Sequence, residues 1–153
     1  MFAEVQSDAL NSDYKTISIS DGSTLNRIRL QFHENNTQVR GASTISGLNT
    51  IIDYTPTDIK SNFKLAVSYN PTQLKFFVNG FLVDTQTINN TWSGSVLNRL
   101  SFNGGAIAGG FELNGNVKDV RVYSTASTDI EIEELTSWES FILMANGQNY
   151  TIK

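Results

Sequence analysis

Apolar and polar residues alternate along much of the chain. In residues 26–33, Ile28, Leu30 and Phe32 alternate with Arg27, Arg29, Gln31 and His33. A strand sends successive side chains to opposite faces, so the first set points to a core and the second away from it. Residues 63–69 repeat the pattern, with Phe63, Leu65, Val67 and Tyr69 on one face. Residues 73–78 and 81–85 read as strands joined by Asn79-Gly80, a dipeptide that accepts positive φ at both turn positions and so suits a tight hairpin. Weaker strands fall at residues 2–6, 14–20, 37–42, 97–102 and 116–123, separated by turn pairs such as Asp21-Gly22, Ser46-Gly47, Gly104-Gly105 and Asn114-Gly115. The expected core is Ile28, Leu30, Phe32, Phe63, Leu65, Val67, Phe76, Val78, Leu100, Phe102, Val120 and Val122. Near the C-terminus the period changes. Ser127 or Thr128 can cap a helix whose first turn carries Asp129 and Glu131, where the helix dipole favours negative charge. Residues 139–145 predict a second short helix. Many short strands with no helices between them predict an all-β fold, a sandwich or barrel of antiparallel strands with a short C-terminal helical segment.

Composition narrows the functions available. At 153 residues the chain suits one domain with a self-supporting core. Only 17% of residues are charged, so the polarity comes from Asn, Ser, Thr and eleven glycines. A net charge of −4, with eleven Lys and Arg thinly spread, argues against general affinity for nucleic acid. No apolar run reaches the ~18 residues of a membrane-spanning helix, so no membrane insertion is expected. The start of the sequence lacks the charged and apolar regions of a signal peptide. The absence of cysteine removes disulfides, thiolate zinc sites and cysteine catalysis, and a single histidine removes multi-histidine metal sites.

Two segments go further than periodicity. Phe63-Lys64-Leu65-Ala66-Val67-Ser68-Tyr69, a turn, and then Leu74-Lys75-Phe76-Phe77-Val78-Asn79-Gly80 resemble the central hairpin of the laminin G-like, concanavalin A-like lectin/glucanase family. Residues 114–123, with Asp119-Val120-Arg121-Val122-Tyr123, resemble that family's "DVRVY" strand, and residues 127–135 resemble the segment that closes its domain. The matching stretch covers roughly residues 63–136. The N-terminal half is similar to the opening strands of such domains in phage tail and head-fibre proteins. A start at Met1-Phe2 fits a first strand entered partway, and residues 137–153 read as a C-terminal extension. The resemblance implies a jelly-roll sandwich of two antiparallel sheets filling residues 1–153. It does not imply one activity, because function lives in sites placed on a fold.

The candidate chemistry favours binding over catalysis. Glycosidases need two carboxylates facing the scissile bond. The glucanase strand motif E-x-D-x-E is absent. Its nearest echo, Asp129-Ile130-Glu131-Ile132-Glu133, would align three carboxylates on a strand but spreads them round a helix, where the family resemblance puts it. No enzyme is expected. Many members of the fold bind one Ca²⁺. Asp53, Asp84, Asn89, Asn90 and Asn103 supply loop oxygens but no compact ligand string, so no cofactor is expected and a single Ca²⁺ from distant loops stays open. The glycine-rich run at 103–110 lacks the Lys-Ser/Thr of a phosphate loop and reads as a connection between strands. Sugar sites pair an aromatic platform with short amides and hydroxyls. The loop at 88–95 offers that mixture, so Trp92, Asn89, Asn90 and Asn103 are the candidate ligand-binding residues, with a lid packed on the core as the other reading of Trp92. Trp138 is expected to pack against the sheets. Arg27, Arg29, Gln31 and His33 share one face of one strand, where two arginines repel unless they find carboxylates or a ligand. Pairing with acidic side chains of a neighbouring strand or subunit is one reading, an acidic sugar the other. The expected function is a non-catalytic module recognising a cell-surface glycan, carried on a virion tail or head fibre, with a homotrimer formed through an upstream stem. A purely structural virion domain and a secreted adhesion domain are the alternatives.

Overall fold

The computed structural model describes residues 1–8, 13–88 and 97–147. Among these residues ten strands run in order: β1 Phe2–Ser7, β2 Lys15–Ser20, β3 Arg27–Phe32, β4 Val39–Ile45, β5 Leu48–Tyr54, β6 Phe63–Tyr69, β7 Gln73–Val78, β8 Phe81–Thr87, β9 Arg99–Ser101 and β10 Gly115–Arg121. Two helices follow, α1 Asp129–Thr136 and α2 Phe141–Gly147. The strands form two five-stranded antiparallel sheets, ordered β10-β1-β6-β7-β8 and β5-β4-β3-β2-β9. This is the expected all-β jelly-roll sandwich. No helix among the described residues is long and apolar enough to cross a membrane.

Alternation builds the core. Ile28, Leu30 and Phe32 of β3 meet Phe63, Leu65 and Val67 of β6 and Phe76 and Val78 of β7, all buried between the sheets. Gly41 of β4 faces inward opposite Phe76. A Cβ there would come within 2.5 Å of the Phe76 ring and 2.8 Å of Val67, so the missing side chain is what admits the ring. The Asn79-Gly80 turn holds φ of 51° and 90° and joins Val78 directly to Phe81, the predicted two-residue hairpin.

Three expectations need correction. Leu100, Phe102 and Val122 are about half exposed: β9 is a three-residue edge strand, Phe102 falls just beyond it, and Val122 falls beyond the end of β10. Strand β5, which the sequence pattern did not indicate, forms the other edge of its sheet, and only Ile52 of its residues is buried. Finally, Arg27, Arg29 and Gln31 point away from the core yet are buried, so β3 is covered on both faces.

The outer face of each sheet carries its own cover. Thr128 caps α1 in a reciprocal box with Glu131, and Asp129 pairs with Lys75 of β7 at 2.7 Å. Those contacts lay α1 across Phe2, Ala66 and Phe77 through Ile132 and Leu135. Trp138 follows it and packs on the same sheet, with the Lys64 ammonium 5.1 Å from its ring centre. On the other sheet the cover is a loop, residues 102–113.

Candidate functional site

The site is the outer face of β5-β4-β3-β2-β9, and strand register builds it. Arg27 lies between Ser20 and Thr44, Arg29 between Ser18 and Ala42, and Gln31 between Thr16 and Arg40. Small residues flank each arginine, so the two guanidinium side chains lie on a floor of hydroxyls and one methyl group. Asn49 and Asp53 of β5 extend the face beyond Thr44 and Arg40.

The three long polar side chains are deeply buried: Arg27 is 8% exposed, Arg29 7% and Gln31 2%. Arg40 is held by Asp53 in a two-pronged ion pair at 2.6 and 3.0 Å. Arg27 and Arg29 make no ion pair with any carboxylate among the described residues. Arg27 instead donates to the Gly104 carbonyl. Arg29 donates to Thr44 Oγ1 at 3.2 Å and Asn49 Oδ1 at 3.0 Å. Arg27 Nε, Arg29 Nε and Gln31 Oε1 are buried without a partner. Among the described residues, then, no neighbouring strand's carboxylate neutralises these arginines, contrary to one of the two readings: the carboxylate of β5 goes to Arg40. Burial, with Arg27 and Arg40 alongside, pushes the Arg29 guanidinium down to about 9, and burial lowers Arg27 as well. Burial also works against the charge on Arg40, but the Asp53 hydrogen bond and charge outweigh it and raise that group.

Aromatic rings wall one end. The Tyr14 ring meets His33 edge-on at 4.9 Å and Phe111 at 5.4 Å, and Arg40 sits 5.7 Å from its centre. Overhead, the loop turns three successive carbonyls toward the sheet. Ser18 Oγ donates to Asn103 O at 2.8 Å, Arg27 to Gly104 O, and Ser20 Oγ to Gly105 O at 2.7 Å.

Chemically, the arrangement suits an anion with a polar neighbour. Two unpartnered Nε–H donors suit a planar, negatively charged acceptor such as a carboxylate. The spare Gln31 oxygen suits a hydroxyl donor beside it. The helical Asp129–Glu133 stretch spreads its carboxylates, with Asp129 on Lys75 and Glu131 in the cap. Among the described residues no three histidine, aspartate or glutamate side chains gather as a metal site would require. Asp84, within β8, accepts from the Thr85 amide and the Gln86 side chain.

The residues singled out for sugar contact fare unevenly. Asn89, Asn90 and Trp92 lie outside the described residues. Asn103 sits at the foot of the covering loop, where its side chain accepts from the Gly105 amide at 2.8 Å, a turn-holding role. A polar groove of about 420 Å³ opens between the β5 and β8 edges, lined by Asn49, Thr50, Ile51, Gln86 and Thr87, and shares Asn49 with the arginine face. A tighter, more apolar pocket of about 100 Å³ lies under α1, among Phe2, Tyr69, Tyr123 and Ile132, remote from this chemistry. The arginine row was visible in the alternation of residues 26–33. Tyr14, Arg40, Phe111 and the Gly104 carbonyl carried no comparable mark, because the register and the loop bring them there.

The family model of the concanavalin A-like lectin/glucanases superfamily matches residues 3–133. No curated protein sequence matches the chain. Among solved structures, it is similar to the CBM40 domain of the Ruminococcus gnavus IT-sialidase bound to α2,3-sialyllactose, with 15% identity and a TM-score of 0.71, over 90% of this chain and 80% of that one. The same domain bound to α2,6-sialyllactose gives a TM-score of 0.67 at 15% identity, over 89% and 81%. A leech intramolecular trans-sialidase complexed with 2,7-anhydro-Neu5Ac gives 0.68 at 16% identity, over 92% of this chain and 23% of that one. At these identities the likeness is one of fold.

Proposed function

We propose that this chain, which belongs to the concanavalin A-like lectin/glucanase superfamily, is a non-catalytic carbohydrate-binding module that takes an acidic sugar on the Arg27–Arg29 face. One observation carries the reading: two buried guanidiniums without a carboxylate partner. A buried charge costs several kcal/mol unless paired, and a fold has no structural use for two left open. A sugar carboxylate would remove that cost, and Gln31 Oε1 would take a neighbouring hydroxyl. The similar CBM40 domain is bound to sialyllactose, a sugar of this class, which supports the choice.

The likeness of the N-terminal strands to phage fibre domains supports placing the module on a virion fibre, where it would recognise host-surface glycan. Display on a trimeric fibre would raise weak single-site affinity by ~10²–10⁴ through avidity.

Isothermal titration with 3′-sialyllactose, with lactose as its neutral counterpart, tests the site. The acidic sugar should bind with a dissociation constant near the millimolar end, about −4 kcal/mol, and lactose should not. The Arg27→Met/Arg29→Met protein should lose binding while staying folded. Equal binding of both sugars, or binding retained by the double variant, overturns the assignment.

A further inference from the structure

We propose that residues 102–113 form a flap over this site, and that the Gly104 carbonyl occupies Arg27 until a ligand carboxylate displaces it. The inference rests on the reading of the Arg27–Arg29 face given above and concerns how a ligand reaches it.

Access is the first argument. Arg27 is 8% exposed and carries the loop's Gly104 carbonyl, so a sugar cannot meet its free Nε–H unless the cover moves. The way the cover is attached is the second. The loop is closed on itself by Gly104 N donating to Gly110 O at 2.8 Å and Leu113 N to Phe102 O at 2.9 Å. It therefore has a fixed shape that can travel as a unit. Among the described residues its hydrogen bonds to the body are few: Ser18 and Ser20 hydroxyls to carbonyls 103 and 105, Arg27 to carbonyl 104, and the Ile107 amide to Gly22 O at 3.1 Å. Apolar docking is confined to one end of the loop, where Leu113 packs against the core and the Phe111 ring against Tyr14; Phe102 is 49% exposed and Ile107 72%. A segment held mostly by hydrogen bonds, with little apolar burial, opens far more readily than a core strand.

The third argument is backbone. Gly109 and Gly110 hold φ of 85° and 99°, and the next residue, Phe111, holds φ of 60°, a region an aromatic residue seldom occupies. The ring this conformation aims packs edge-on against Tyr14 and lies under Gly104, where an added Cβ would come within 2.9 Å of it. The strained residue and the two glycines before it form the hinge, and the Phe111 ring latches the closed form.

The exchange is chemically one-sided. In the closed form Arg27 bonds a neutral carbonyl. A carboxylate makes a shorter, charge-assisted bond to the same group, and the released Gly104 carbonyl regains water. The apparent affinity is then the intrinsic affinity multiplied by the open fraction.

The test uses Ser18→Ala/Ser20→Ala, which unties carbonyls 103 and 105, and with them the Gly22 amide from Ser20 Oγ, while keeping both arginine side chains and their strand neighbours' backbone in place. Losing both hydrogen bonds should lower the closed-to-open ratio by about tenfold or more and tighten 3′-sialyllactose binding by up to that factor. Amide exchange of the unmodified protein provides a readout that needs no ligand. The Ile107 amide should exchange at least ~100-fold faster than the Leu30 amide, through an opening insensitive to mild denaturant. Unchanged or weaker binding by the serine variant, while the parent binds, overturns the flap and leaves the acidic-sugar site standing. Ile107 exchange that occurs only with global unfolding overturns the flap whatever the sugar result. Absence of binding in both proteins overturns the site, and the flap's gating role falls with it.

Discussion

Replacing Arg29 by methionine separates a binding arginine from a structural one. The side chain is 7% exposed, bonds only neutral oxygens, leaves Nε unpartnered and has Arg27 and Arg40 as like-charged neighbours. Methionine fills a similar unbranched volume. Its introduction forfeits two hydrogen bonds from a charged donor, worth about 1.5–3 kcal/mol each at most. Against this, it removes the desolvation of one ion, which is several kcal/mol in folded proteins, and the repulsion from two guanidiniums. The acceptors are not stranded, because Thr44 Oγ1 already donates to Asn49 Oδ1 at 2.7 Å. The balance is a stabilisation of ~1–2 kcal/mol, which in a domain of this size raises the melting temperature by about 3–6 °C. Scanning calorimetry with and without 3′-sialyllactose measures both halves. The parent protein should gain stability with the sugar, by ~2.7 kcal/mol at a hundredfold excess over the dissociation constant. The Arg29→Met protein should melt higher without sugar and gain nothing from it. A melting point lowered by more than ~2 °C would mean that Arg29 holds the sheet together, and the argument from uncompensated charge would collapse.

Other outcomes follow from the frame. Gly41→Ala drives a Cβ to within 2.5 Å of the buried Phe76 ring, so urea titration should show ~1–3 kcal/mol of lost stability; an unchanged midpoint would place Gly41 elsewhere. Gly80→Val must hold φ near 90° and put its Cβ 2.6 Å from Ser137 Oγ, costing ~1–3 kcal/mol or more by thermal melting with sugar binding intact. The Glu131 carboxylate is held below its ordinary 4.5 by the Thr128 amide and hydroxyl. Its contribution to stability is thus complete above that value and fades as the pH falls through the lowered one. The gap in melting temperature between the parent and Glu131→Gln should accordingly close in acid, and a gap independent of pH would contradict the capping geometry.

Local rules made much of the frame legible. Period-two alternation placed β3, β6 and β7 and their inward residues, since the side-chain period of a strand is a property of the backbone itself. Asn79-Gly80 announced its turn because few residue pairs accept positive φ twice, and Thr128 with Glu131 announced α1 because orphan amides at a helix start need nearby oxygens. Where apolar content is one-sided or thin, the pattern failed. Strand β5 buries only Ile52 and so shows no alternation, while Leu100 and Val122 carry the right residue type at edges where little covers them.

The site divides in the same way. That Arg27, Arg29 and Gln31 share one face was fixed by spacing within a single strand. That they are buried, and that Asp53 serves Arg40 and not them, was decided by the register of β4 and β5. The cover comes from farther away: Gly104 lies 77 residues beyond Arg27. A sequence pattern records what a residue's own backbone imposes on its near neighbours. It holds no trace of which distant carbonyl will settle on a guanidinium, because that pairing exists only once two sheets have stacked and a loop has closed over one of them.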